Sequence, residues 1–150
     1  MDFSLIGTLI FIGFGVPISI IDARTRNIPN WLTLSFLVTA TTSVLIAALF
    51  FDADAAGALV SSLATMMVFV LLYFLARGGF GEADVKLAPG FGMLLGAGSF
   101  SAVTLWLLGT FIFAGLFAAV MLLTKKLNKK DEFAFAPFMV LSALAISLAS

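Results

Sequence analysis

The chain contains no cysteine and no histidine. Those two absences exclude disulfides, thiol nucleophiles, Ser-His and Cys-His machinery, and the usual zinc and haem ligands. Charge is also scarce. Asp, Glu, Lys and Arg make up 11% of the 150 residues, less than half the share in ordinary soluble domains. There is one tyrosine, Tyr73, and it lies in an apolar run. Acid–base chemistry therefore falls to a few Asp, Glu, Lys and Arg side chains. What is abundant is apolar surface: 62% of residues are hydrophobic. Too few polar residues remain to cover a water-soluble core, and the bilayer is the natural solvent. The same composition excludes disorder.

Divided at charges and Gly/Pro clusters, the sequence gives six hydrophobic runs: Phe3–Ile21, Trp31–Phe50, Gly57–Ala76, Val85–Ala97, Phe100–Thr124 and Phe133–Leu148. A spanning helix needs about 20 residues. The fourth run is short and holds Pro89, Gly90, Gly92 and Gly96, so alone it reads equally as a re-entrant segment. The first has Asp2 where a signal peptide would be basic, and it reads as a retained helix. The basic residues decide the topology. Arg24, Arg26, Arg77, Lys86, Lys125, Lys126, Lys129 and Lys130 all fall on one side if every run crosses. Lys and Arg favour the cytoplasm, so the expected fold is an all-α integral membrane protein. It has about six transmembrane helices, both termini outside the cytoplasm, and one membrane-embedded domain over 1–150.

Among the acids, Asp2, Asp52 and Asp54 fall on the outer side. Asp131 and Glu132 adjoin the lysine cluster. Asp22, Glu82 and Asp84 remain, all at the cytoplasmic ends of helices. Asp22 closes the first run, where the helix dipole disfavours a carboxylate. It reads as an interfacial charge paired with Arg24 or Arg26, or as a functional group. Pro29 and Asn30 form a start signal for the second helix, with Asn30 as the cap. Asp84 follows Gly78, Gly79 and Gly81, which let a backbone approach closely. It reads as a helix cap or, again, as a functional group. Together the two aspartates suggest more. Paired carboxylates share a proton, and one can activate water while the other polarises a peptide carbonyl. That chemistry requires neither histidine nor metal.

The segment from Asp22 to Ile28-Pro29-Asn30, with Gly81-Glu82-Ala83-Asp84-Val85-Lys86-Leu87, resembles the two signature segments of the type IV prepilin peptidases. These are membrane aspartic peptidases of the Gly-x-Gly-Asp class. Phe133-Ala134-Phe135-Ala136-Pro137-Phe138 is similar to the family's Pro-Phe-Gly-Pro-Phe at the head of its last helix. The resemblance implies catalytic roles for Asp22 and Asp84. It implies cleavage of a short basic leader from a prepilin-like membrane protein, at the cytoplasmic face of the inner (plasma) membrane. It implies no cofactor and no nucleic-acid partner, only the substrate and the lipid bilayer. Gly78, Gly79, Gly81, Ala83, Lys86, Pro29, Asn30 and Pro137 become candidates for shaping the site. Lys86 is expected to tune Asp84 or to snorkel. Glu82 is expected to be solvated or to pair with Arg77. Ala83 replaces the second motif glycine, and a positive φ there would be strained. The cysteine-bearing N-terminal domain of bifunctional members has no counterpart, so no methyltransferase activity is expected and the chain resembles the short, tight-adherence forms. The 17 phenylalanines are expected to face lipid. A proton-coupled transporter and a non-catalytic pilus assembly subunit are the rival functions.

Overall fold

The computed structural model describes residues 3–77, 80–126 and 134–150. Gly78, Gly79, Asp2, Lys129, Lys130, Asp131, Glu132 and Phe133 lie outside the described residues. Within them the protein is all-helical, with α1 (Phe3–Thr25), α2 (Asn30–Phe50), α3 (Ala55–Leu75), α4 (Glu82–Gly96), α5 (Phe100–Leu123) and α6 (Ala136–Ala149). Helices α1, α2, α3 and α5 are long and apolar enough to cross a membrane. They present many exposed Leu, Ile and Val side chains, as helices solvated by lipid do. Three hydroxyls of α2 bond back to their own backbone: Thr41 to Leu37 O, Thr42 to Val38 O and Ser43 to Thr39 O. That pairing lets polar residues sit in a lipid-facing helix without an orphaned donor.

The helix ends follow local chemistry. Asp54 Oδ1 caps α3 by accepting from Gly57 N–H at 2.8 Å, and Ser99 Oγ caps α5 through Ala102 N–H at 3.2 Å. Three helices stop on a basic residue in the left-handed region: Arg26 after α1, Arg77 after α3 and Lys125 after α5, with φ of 52°, 49° and 57°. A non-glycine residue there costs about 1–2 kcal/mol. A cation beside the negative end of a helix dipole offsets about 0.3–1 kcal/mol of it.

Helix α4 is the axis of the fold. Every residue from Leu87 to Gly96 is buried, so the short fourth run is not lipid-facing but a helix wrapped by the others. Its 15 residues rise about 22 Å. Small residues bring neighbours close, as membrane helix contacts require. Gly92 lies against the Ser61 carbonyl and the Thr65 side chain of α3. Gly90 leaves room for the ring of Phe36 on α2. Thr65 Oγ1 donates to Ala88 O across the α3–α4 interface at 3.1 Å.

The expectation that phenylalanine faces lipid is corrected. Phe50, Phe74 and Phe100 are exposed, but Phe11, Phe36, Phe69, Phe91 and Phe135 are buried. Their rings form a continuous stack through the bundle. Phe91 stands 5.4 Å from Phe11 and 5.2 Å from Trp106, and Phe69 stands 6.1 Å from Trp106. Gly90 of α4 creates the space that the Phe36 ring fills. Trp106 is also satisfied inside the stack, its Nε1–H donating to Met139 O of α6 at 2.9 Å.

Candidate active site

Asp22 does not end its helix, because α1 continues to Thr25. Its side chain is only 6% exposed. Oδ2 accepts a 3.0 Å hydrogen bond from the backbone N–H of Ala136, the first residue of α6. This resolves the dipole problem that the sequence raised. The carboxylate leaves the negative end of α1 and meets the positive end of α6, where backbone donors lack helical partners. Pro137 follows at the head of α6, a position where its missing N–H is no loss. Asp22 makes no salt bridge among the described residues; Arg26 acts on it only as a longer-range charge. The reading of Asp22 as half of a surface ion pair is thereby corrected.

Asp84 lies in the first turn of α4 and is 5% exposed. It is within electrostatic reach of Asp22, so α1 and α4 place both carboxyls at one end of the bundle. Its Oδ1 is buried with no hydrogen-bond partner. Such an atom is costly unless something engages it in function. Its Oδ2 folds back over Gly81, where an added Cβ would lie 2.8 Å away. A side chain at residue 81 would require the Asp84 carboxyl to shift. The Gly81 φ of −70° is open to any residue.

An aromatic bridge joins the two halves. Phe80, just before Gly81, packs at 5.1 Å on Phe135, just before Ala136. Phe69 of α3 contacts both, at 5.5 and 6.2 Å. The sequence reading missed Phe80, Phe135 and Ala136. The available signal was their place: Phe135 and Ala136 lie within the Phe133–Phe138 motif, and Phe80 lies just before Gly81.

Several expectations are revised. Asn30 is not a cap: it is the first residue of α2, Pro29 takes the cap position, and no side-chain cap bond forms. Pro29 O instead accepts from Leu32 and Thr33 N–H. Lys86 is partly exposed and makes no bond to Asp84. Its ammonium donates to Asn30 Oδ1 at 2.9 Å and pairs with Glu82 at 2.6 Å. Glu82 thus pairs with Lys86, not Arg77, because one turn of helix aligns residues i and i+4.

Comparison with protein-family models matches the type IV leader peptidase family over residues 9–123. The chain belongs to that family. No curated protein and no solved structure matches it. The stretch shared with the type IV leader peptidases contains Asp22 and Asp84, while Ala136 and the rest of α6 lie beyond it.

Family membership sharpens the question of Ala83. The structure answers it: Ala83 sits in the first turn of α4 and is not among the positive-φ residues. It packs against the core. The alanine is compatible with its backbone, and no strain follows from the missing glycine. We expect Ala83→Gly to leave a peptidase rate unchanged within about twofold and to lower thermal stability slightly, since glycine in a helix costs about 1 kcal/mol relative to alanine. A large gain in rate would show that the alanine does restrict the site.

Proposed function

We propose that this protein is an aspartic endopeptidase that removes the short basic leader of a prepilin-like membrane protein at the cytoplasmic face. The observation that carries the reading is the pair of buried carboxyls, Asp22 and Asp84, from two different helices. One is held by a helix N-terminus and the other has an unpartnered oxygen.

The chemistry needs one carboxyl ionised and one protonated. The ionised group takes a proton from water as the water oxygen attacks the scissile carbonyl. The protonated group donates a hydrogen bond to the carbonyl oxygen. When the tetrahedral intermediate collapses, the C–N bond breaks and a proton passes to the leaving amine. The Ala136 N–H holds Asp22 in place, and the open Oδ1 of Asp84 can engage water or substrate. The basic residues support the cytoplasmic assignment. Arg26, Lys86, Lys125 and Lys126 belong to the same helix ends as the two aspartates, and the positive-inside preference puts that end in the cytoplasm. A precursor with a basic leader and an apolar helix adopts the same orientation, with its junction at the interface.

The test is to incubate the purified protein, in detergent or liposomes, with a synthetic precursor and locate the cut by mass spectrometry. We expect a single cut between the leader and the apolar segment, at a rate unaffected by chelators. No cut at that junction would end the peptidase reading. Topology has its own test. Cysteines at Asp54 and Lys126 should react with an impermeant reagent from opposite sides of the membrane, and labelling from one side would overturn the orientation.

A further inference from the structure

We propose that the substrate crosses the two aspartates in one fixed direction, with its leader toward the heads of α2 and α4 and its apolar segment toward α1, α5 and α6. The proposal rests on the peptidase reading above. It comes from two hollows at the same helix ends as the pair, which differ in chemistry. At the heads of α2 and α4 is a polar notch of about 180 Å³, lined by Asn27, Ile28, Asn30, Glu82, Ala83 and Lys86. Where α1, α5 and α6 meet is a groove of about 340 Å³, lined by Ala23, Met121, Ala134, Pro137 and Phe138 with Arg26. Ala83 and Ala23 are the chain neighbours of the two aspartates, so both hollows belong to the helix ends that carry the pair.

The notch already seats a cation. Glu82 Oε1 and Asn30 Oδ1 converge on the Lys86 ammonium at 2.6 and 2.9 Å. The same two acceptors suit a lysine or arginine side chain from a leader. The Glu82 side chain is 71% exposed and within reach of an incoming peptide. Lys86 is itself partly exposed and has a flexible stem, so it can yield its place. The groove has the opposite character. Its walls are aliphatic and aromatic, the Phe117 and Phe138 rings standing 5.2 Å apart. Among the described residues its one charged lining residue is Arg26, which would repel a basic leader. Attraction at one hollow and repulsion at the other set a direction, since specificity uses both. A peptide whose basic half precedes its apolar half fits one way round.

Photo-crosslinking tests this without requiring turnover. A synthetic precursor with a lysine leader carries a benzophenone amino acid either two residues before the cut or at the first residue after it. It is bound to the full chain bearing Asp84→Asn, which keeps it whole. The leader probe should mark residues 27–30 or 82–86. The probe after the cut should mark residues 117–121 or 134–138. Exchanged labels, or both probes marking one hollow, overturn the proposal. Absence of cleavage by the wild-type chain is a separate result and bears on the peptidase reading alone. Kinetics supply a second arm. Glu82→Lys should lower kcat/KM for the lysine leader roughly tenfold, as a reversed charge contact does, and a glutamate leader should recover it. Ala134→Trp should raise KM for a precursor with phenylalanine after the cut more than for one with alanine there. Equal losses on both leaders, or on both precursors, would mean that the substitution only disturbs the fold.

Discussion

Asp22→Asn and Asp84→Asn should each reduce leader cleavage by at least about 10²–10⁴-fold, the range that a positioned acid or base supplies. Asparagine keeps the shape of aspartate and can still accept the Ala136 N–H, so membrane insertion and thermal stability should change little. The loss would then be chemical. The double variant should be no worse than either single one, because the two groups act as a unit. The wild-type rate should fall toward both low and high pH. A pair that needs one proton fails when it holds two and when it holds none. Measured rates of purified variants across pH decide the matter. Substantial cleavage by either Asn form rules out the dyad. In that case the protein would be a leader peptidase relative with another role, such as pilus assembly.

Gly92→Leu should be the most damaging substitution away from the aspartates. Leucine is the better helix former by about 1 kcal/mol, so any loss must come from packing. A Cβ at residue 92 would stand 2.7 Å from the Ser61 carbonyl and closer still to the Thr65 hydroxyl. The first of these is backbone, which cannot rotate away. Overpacking costs about 1–3 kcal/mol even for a few added methylenes, and here α4 must separate from α3. The expected result is a large fall in thermal unfolding temperature in detergent, with loss of cleavage because α4 carries Asp84. Gly115→Leu is the control, since a Cβ there meets nothing within 4 Å. Equal unfolding temperatures for the two variants would show that the α3–α4 contact is not tight.

Hydropathy made the helices legible, because a lipid-soluble helix must be a long unbroken apolar run. The six runs coincide with α1 to α6 within a few residues. The error at Asp22 has a physical origin. Charge was taken as the end of a helix, but a carboxylate bonded to another helix can stay in the last turns. Asp84 was legible from its glycines and its place before an apolar stretch. The partners of these residues were not. The Ala136 N–H that meets Asp22 is 114 residues away in sequence. Neither spacing nor periodicity encodes a contact at that range. The burial of Phe69 and Phe91 escaped notice for a related reason. In a chain this apolar, an inward-facing ring and a lipid-facing ring look alike until the rings they pack against are known.

The bond between Ala136 and Asp22 also has a consequence for biogenesis. Translation produces Asp22 early and Ala136 late, with α2 to α5 emerging between them. A nascent chain therefore carries both aspartates through the membrane-insertion machinery before the helix that holds the first of them exists. The candidate site is completed by α6, which follows α1 to α5 in the chain. A polypeptide that stalls after α5 would retain both carboxyls without the donor that fixes Asp22.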